Sequence, residues 1–477
     1  MLTEKVKYTK PFIGAIAFTQ STQHLFFGRE KEIIEILKKL EKTNLLFITG
    51  DKAIGKSSIA QAGVIPQYLK YNNRRGRTYY DVLEIKLSHN PFRELLKMIK
   101  KLSTNMNKEE RYNEVFLGNT QMFKPIMVHS FLKHIFNNQK TKLLLYVDNM
   151  EELLILANSE EKQLFIETLS YLFQHQTEKF NVKIMITQRK KNTLFEYEQL
   201  NYLQSFDFYE LKSLSKKGLY EAITKPLVLV GIAEKEAKNL ADEIVDSLKN
   251  SPDRFLYLQT ILKQTWCNRG KVKSLLDIYR WLGGIENVLE NLVKDTFLDL
   301  KVDEIVLELI FLKLIDIQFP EYGDISFKDI ITDRKKFSKD EWKIIQKLAF
   351  VSEKKGCCSG KLLRIIGEDD ANQAVFLVYS ELSTEWMLYV NWIKNEVNVK
   401  VFHEYKVKSY SEQYKLGANR RLRPYEETLK DKLLSERYRH LLSKDELSYL
   451  KNRKRKEVIK FLVWSTFGLV AVYYRYK

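Results

Sequence analysis

Apolar and polar positions fall into two regimes along the chain. Five short apolar runs, Leu45–Thr49, Asp81–Lys86, Lys142–Val147, Val182–Thr187 and Phe206–Leu211, are bounded by turn residues. Runs of that length predict buried strands, and the helical stretches between them predict a parallel sheet covered on both faces. Glu30–Leu40 precedes the first run and places Ile33, Ile34, Ile36, Leu37 and Leu40 on one helical stripe. From about Ser213 the pattern turns helical. Lys217–Thr224, Glu234–Leu248 and Phe255–Cys267 read as amphipathic helices, punctuated by Pro226 and Pro252, and Gly283–Gly284 breaks the chain before Glu286–Leu300. Residues 303–393 mix helices with two β-like runs, Lys361–Ile366 and Ala374–Tyr379. Helices followed by a small hairpin are what a winged-helix domain shows. Residues 394–460 are charged and helical, and there is no internal repeat with a period of 20–50 residues.

Composition narrows the class. A hydrophobic content of 44% with 29% charged residues is that of a globular protein, and 477 residues suffice for two to four domains. The three cysteines, Cys267, Cys357 and Cys358, form no disulfide framework, and the adjacent pair lacks the spacing of a zinc site. So few cysteines fit a reducing compartment. The net charge of +18 fits an anionic partner (nucleic acid, a lipid surface, phosphates) or the solvated lysines of a Lys-heavy composition. Part of it is local: residues 421–460 hold 13 Lys/Arg against 7 Asp/Glu, and Lys451–Lys456 reads K-N-R-K-R-K.

Met1–Lys10 is polar and Pro11–Phe18 is too short for the core of a signal peptide. Phe461–Tyr474 carries no charge and is flanked by Lys460 and Arg475. It reads as a membrane anchor with its N-terminal side in the cytoplasm, or as a buried terminal element.

The chemistry is concentrated in two motifs. Gly50-x-x-x-x-Gly55-Lys56-Ser57 follows the first strand and opens a helix, which is the P-loop pattern. Backbone N–H groups of Gly50, Asp51, Lys52, Ala53, Ile54 and Gly55 can curl around phosphates, with the helix N-terminus adding positive potential. Lys56 can reach the β- and γ-phosphates, the Ser57 hydroxyl can bind Mg²⁺, and Ser58 completes the turn. Lys142–Leu154 supplies the partner, with Asp148 at a strand's C-terminal edge where it can hold Mg²⁺ through water. Glu151 and Glu152 follow, and one of them can orient or deprotonate an attacking water, or both begin a solvated helix. Arg189, after the fourth strand, can sense a γ-phosphate or form a structural salt bridge. Phe26-Phe27-Gly28-Arg29-Glu30 lies where related ATPases pack backbone around adenine, which makes Gly28 and Arg29 nucleotide-binding candidates.

These segments together resemble the novel STAND NTPase family, within the STAND and AAA+ group. The resemblance rests on Phe27–Glu30, Gly50–Ser58, Val147-Asp148-x-x-Glu151-Glu152-Leu153 and Gln188-Arg189. It continues through Glu221-Ala222-Ile223 with Pro226, Leu256-x-Leu258-Gln259 before Trp266, and Leu282-Gly283-Gly284. Leu382 with Trp386 and Trp392, then Leu416-Gly417-Ala418 with Arg421-Leu422, extend it to roughly residues 11–455. The resemblance implies an α/β P-loop NTPase followed by a helical lid, a winged-helix domain and a helical extension. It also implies ATP/ADP with Mg²⁺, slow turnover, a switch that forms homo-oligomers with ATP, and a role in bacterial signalling or anti-phage defence. The matching divisions are a lead segment 1–24, NTPase domain 25–212, lid 213–285, winged-helix-like domain 286–393, basic extension 394–458 and candidate membrane anchor 459–477. Two departures stand out: the loop interior Asp51-Lys52-Ala53-Ile54 is bulkier than in relatives, and Tyr379 stands where relatives carry a nucleotide-facing histidine. Relatives usually carry sensor repeats beyond a basic stretch, and this sequence stops soon after it, as a minimal or truncated member would, or one that depends on a partner sensor or effector chain. A DNA-associated ATPase and a membrane-tethered nucleotide-binding scaffold are the alternative readings.

Overall fold

The computed structural model describes residues 10–73, 79–87, 90–105, 124–136, 141–176, 181–189, 206–250, 257–271, 274–300, 302–318, 326–349, 362–367, 373–379, 382–416 and 422–451. Cys357, Cys358, Leu256, Gly417, Ala418, Arg421 and the apolar run Phe461–Tyr474 lie outside the described residues. Among the described residues no helix is long and apolar enough to cross a membrane.

Five strands, β1 (Leu45–Thr49), β2 (Tyr79–Lys86), β3 (Thr141–Asp148), β4 (Val182–Gln188) and β5 (Phe206–Glu210), pair in the order β2-β3-β4-β1-β5, every pair parallel. Period-two alternation sends their side chains into two cores. Leu45, Phe47, Leu143, Leu145, Val147, Val182, Ile184 and Ile186 fill one face, packed by α4 (Pro91–Asn105), α5 (Pro125–Phe136) and α7 (Ser159–Gln174). Leu46, Ile48, Leu144, Tyr146 and Met185 fill the other, under α1 (Glu30–Lys42) and the helix that leaves the P-loop. That helix begins as α2 (Lys56–Ser58), widens to a π-helical stretch at Ile59–Val64 and continues as α3 (Ile65–Asn73). Each fully buried Leu or Ile contributes about 1.5–3 kcal/mol, which explains why β1 is apolar at every position but its last. α6 (Glu151–Leu156) is short and starts just past the end of β3.

Two compact units partition the chain. The first, residues 1–303 and 330–379, holds the sheet and continues into α8 (Lys216–Leu229), α9 (Glu234–Asn250), α10 (Leu258–Cys267), α11 (Leu275–Trp281) and α12 (Val288–Leu300). Ser215 caps α8 by accepting the Gly218 N–H at 3.1 Å. Pro226, read above as punctuation, lies inside this helix, which runs on to Leu229. Cys267 is disulfide-bonded, a bond that the sparse cysteine content gave no reason to expect. A small antiparallel sheet completes the unit: β6 (Thr332–Asp333), β7 (Leu363–Ile366) and β8 (Ala374–Leu377) in the order β6-β8-β7, with α13 (Lys339–Ala349) packed on β7.

The second unit, residues 304–329 and 380–477, contains an antiparallel hairpin, Ile315–Gln318 with Ser326–Asp329, and helices Glu304–Leu312, Met387–Phe402, Lys408–Lys415 and Pro424–Leu433. Phe311, Trp386, Tyr389 and Trp392 form an aromatic cluster, and the Tyr389 hydroxyl donates to the Phe311 carbonyl at 2.8 Å. Arg437 donates to both Glu308 and Glu396, each at 3.0 Å.

Candidate nucleotide site

The loop between β1 and α2 sits at the carboxyl edge of the sheet, where open α/β sheets place their ligands. Two residues there adopt left-handed backbone: Ala53 at φ 57° and Gly55 at φ 98°. Gly55 tolerates this at no steric cost; at Ala53 it is a local strain that turns the loop back on itself. A Cβ on Gly50 would lie 2.8 Å from the Leu211 carbonyl oxygen, so the loop's entry admits only glycine without a shift.

Lys56 is buried inside this curl. Its Nζ donates to the Gly50 carbonyl at 3.0 Å and to the Asp51 carbonyl at 2.9 Å. Burial lowers its pKa from the ordinary lysine value, opposed chiefly by the field of Glu151. One residue on, the Ser57 Oγ donates to Asp148 Oδ1 at 2.8 Å. Serine and aspartate, 91 residues apart, are thus in contact at the edge of the sheet. A hydroxyl and an ammonium of the curled loop, with a carboxylate at the end of β3, form the hard-oxygen and cationic donor set that a magnesium–triphosphate requires, so the residues fit such a ligand.

Asp148 is held from three sides. Besides Ser57, the Tyr146 hydroxyl donates to Oδ1 at 2.8 Å and the Thr187 hydroxyl at 2.5 Å. Burial, and secondarily the Asp148 charge, push the Tyr146 phenol well above its ordinary pKa. Past Asp148 the chain turns through Asn149 at φ 53°, with the Asn149 N–H on Thr187 Oγ1 at 2.9 Å and the Met150 N–H on the Thr187 carbonyl at 2.8 Å.

Lys56, Ser57, Asp148, Glu151 and Arg189 therefore converge. Glu151 pairs with Arg189, which reaches it through both Nε and its own N–H at 3.2 Å. Glu152 points elsewhere. It is buried and meets Arg364 of β7 at 3.2 Å, and burial outweighs that arginine to push its carboxyl up to about 7. Arg29, buried to 4% exposure, donates to the carbonyls of Ile54 (3.1 Å) and Lys212 (2.7 Å) and to Glu32 (2.9 Å). It braces the P-loop from behind. Gly28, at φ 89°, lies against the backbone of Gly218 at the start of α8. Ser58 is buried and accepts the Phe18 N–H at 3.2 Å, which ties the lead segment to the P-loop helix. Ile54 is part of the core, Lys52 is half-buried, and Asp51 and Ala53 are exposed. Tyr379 is fully buried, its hydroxyl 2.7 Å from that of Thr260 on α10.

Sequence reasoning passed over Tyr146, Thr187 and Arg364. Tyr146 was open to inference, since residues two apart share a strand face. Thr187 becomes visible only with the register, in which Val147 pairs with Ile186. Nothing in the sequence marks Arg364 as the partner of Glu152.

No curated protein matches the chain. Among solved structures it is similar to a Walker-type ATPase of Pyrococcus abyssi, at 13% identity and TM-score 0.36 over 72% of this chain and 96% of that one. It is also similar to the Aeropyrum pernix ORC1 protein in complex with DNA (9%, TM-score 0.40, 76% and 92%) and to the same organism's ORC2 protein in ADPNP–ADP complexes (12%, TM-score 0.38, 78% and 95%). The family model described as Novel STAND NTPase 1 matches residues 11–415. That span takes in the loop, the acidic strand end and most of the helices beyond them, and the chain belongs to the novel STAND NTPases, a P-loop ATPase family.

Proposed function

We propose that this chain is a magnesium-dependent ATP switch that hydrolyses its nucleotide slowly. The observation that carries the reading is the contact of Ser57 with Asp148 beside a buried Lys56 whose Nζ donates to two loop carbonyls. Bound Mg²⁺ would neutralise charge between the β- and γ-phosphates. On binding, Lys56 would exchange two carbonyls for phosphate oxygens, the Ser57 hydroxyl would leave Asp148 for the cation, and Asp148 would hold the cation through water. Glu151 is the candidate base, and its pairing with Arg189 both occupies its carboxylate and withholds the arginine. Hydrolysis then waits on the opening of that pair, which gives the ATP state a lifetime. Gly28 and Arg29 serve the loop by support. The ATP state is proposed to favour homo-oligomers, with a partner chain as sensor or effector, in bacterial signalling or defence.

A second reading, a DNA-associated ATPase, draws on the exposed Lys339, Lys343 and Lys347, which recur every fourth residue along α13 beside the small sheet. Salt-dependent affinity for duplex DNA would favour it. Tethering through residues 459–477 falls outside the described residues.

The test is equilibrium binding of a fluorescent ATP analogue with MgCl₂ to wild type and Lys56→Ala. Wild type should bind and the variant should lose at least a hundredfold in affinity. Equal binding by the two proteins would remove the P-loop from the argument.

A further inference from the structure

Three hydroxyls converge on one carboxylate oxygen. Ser57, Tyr146 and Thr187 all donate to Oδ1 of Asp148, and no described residue donates to Oδ2. The three are not equivalent. Ser57 stands on the P-loop helix and is the one that must let go when a cation arrives. Tyr146 and Thr187 belong to the sheet and are fully buried. The Tyr146 ring is wedged among the apolar side chains beneath the P-loop helix, so its hydroxyl cannot follow a moving carboxylate. Thr187 is fixed as well. Its Oγ1 donates to Asp148 while accepting the Asn149 N–H, which uses its single proton and one lone pair.

We propose that Tyr146, seconded by Thr187, is a positioning residue for the magnesium site: the two sheet hydroxyls pin Asp148 through Oδ1 and reserve Oδ2 for the cation's water. The proposal rests on the nucleotide reading above. Hydrogen bonds donated to the carboxylate set its orientation, and outer-shell partners of this kind are commonly worth ~10–100-fold in metal affinity. Phenylalanine at 146 would keep the ring and its packing and delete only the bond to Oδ1.

The experiment titrates MgCl₂ into the full chain with a fluorescent ATP analogue, for wild type, Tyr146→Phe, Thr187→Val and Thr187→Ser. The first two variants should need about tenfold more Mg²⁺ for half-maximal binding, with nucleotide affinity in EDTA unchanged. Thr187→Ser, which keeps the hydroxyl, should stay near wild type. Wild-type magnesium dependence in both Tyr146→Phe and Thr187→Val overturns the proposal. So does an equal loss with and without Mg²⁺, which is what a merely structural role produces. A wild type that binds no nucleotide at all defeats the P-loop reading first and this proposal with it, so the two failures are distinguishable.

Discussion

Gly28→Ala is the substitution whose cost can be worked most directly from the structure. Gly28 has φ 89°, and a Cβ built there would lie 2.1 Å from the carbonyl oxygen of Gly218 and 2.8 Å from its carbonyl carbon. In the reverse direction a Cβ on Gly218 would lie 2.4 Å from the Gly28 oxygen. Ordinary C···O contacts are roughly 3.3–3.6 Å, so the two backbones would have to part by about 1 Å. Neither side is a flexible side chain that can swing aside. Left-handed backbone costs alanine ~1–2 kcal/mol, and forcing the packed contact apart adds ~1–3 kcal/mol, for a total of ~2–5 kcal/mol. Gly270 supplies the control: its φ is also 89°, and a Cβ there meets nothing within 4 Å. Gly270→Ala should therefore show the torsional cost alone, ~1–2 kcal/mol. Urea melts followed by circular dichroism give both numbers. Because the contact joins the segment before α1 to the start of α8, Gly28→Ala should also weaken nucleotide binding, and Gly270→Ala should not. Equal destabilisation by the two substitutions would refute the steric argument and leave only the torsional one.

Glu152 predicts a pH dependence. Its folded pKa is raised from 4.5 to about 7, so the folded state holds the proton more tightly and stability falls as pH rises from near 4.5 through 7, by on the order of 3 kcal/mol. Glu152→Gln cannot titrate, so its stability relative to wild type should rise by that order between pH 5 and pH 8, whereas parallel pH curves for the two proteins would rule out a strained carboxyl. Arg29→Met should cost about 3–5 kcal/mol, because the carbonyls of Ile54 and Lys212 and the Glu32 carboxylate lose a buried partner. Melts paired with nucleotide titration check it: lost binding at unchanged stability would instead place Arg29 against the ligand, as its motif first suggested.

The sheet was legible in the sequence because its central strands are buried on both faces and therefore largely apolar. Leu45–Thr49 is a strand over the same five residues, and the other four agree with the apolar runs to within two residues at their ends. The P-loop and Asp148 were legible for a different reason, since phosphate chemistry restricts residue type at fixed spacing. What stayed hidden depends on meetings between distant segments. Arg29 looked like a ligand residue because its motif carries no trace of the Lys212 carbonyl 183 positions away. Glu151 and Glu152 look alike in sequence, yet one faces Arg189 and the other Arg364. Pro226 is a breaker in most helices, and here α8 carries on past it.

The strand order also dictates when the binding edge can come into being during synthesis. β1 emerges from the ribosome before any other strand, yet its two neighbours are the last of the five, with Leu45 beside Ile184 and Phe206. A nascent chain that has already displayed both Gly50–Ser58 and Asp148 still has an unflanked β1, and cannot yet present a rigid grip for a triphosphate. Interrupting translation between Asp148 and Val182 should leave a polypeptide with both signature motifs, two unpaired edges on β1 and a need for chaperones.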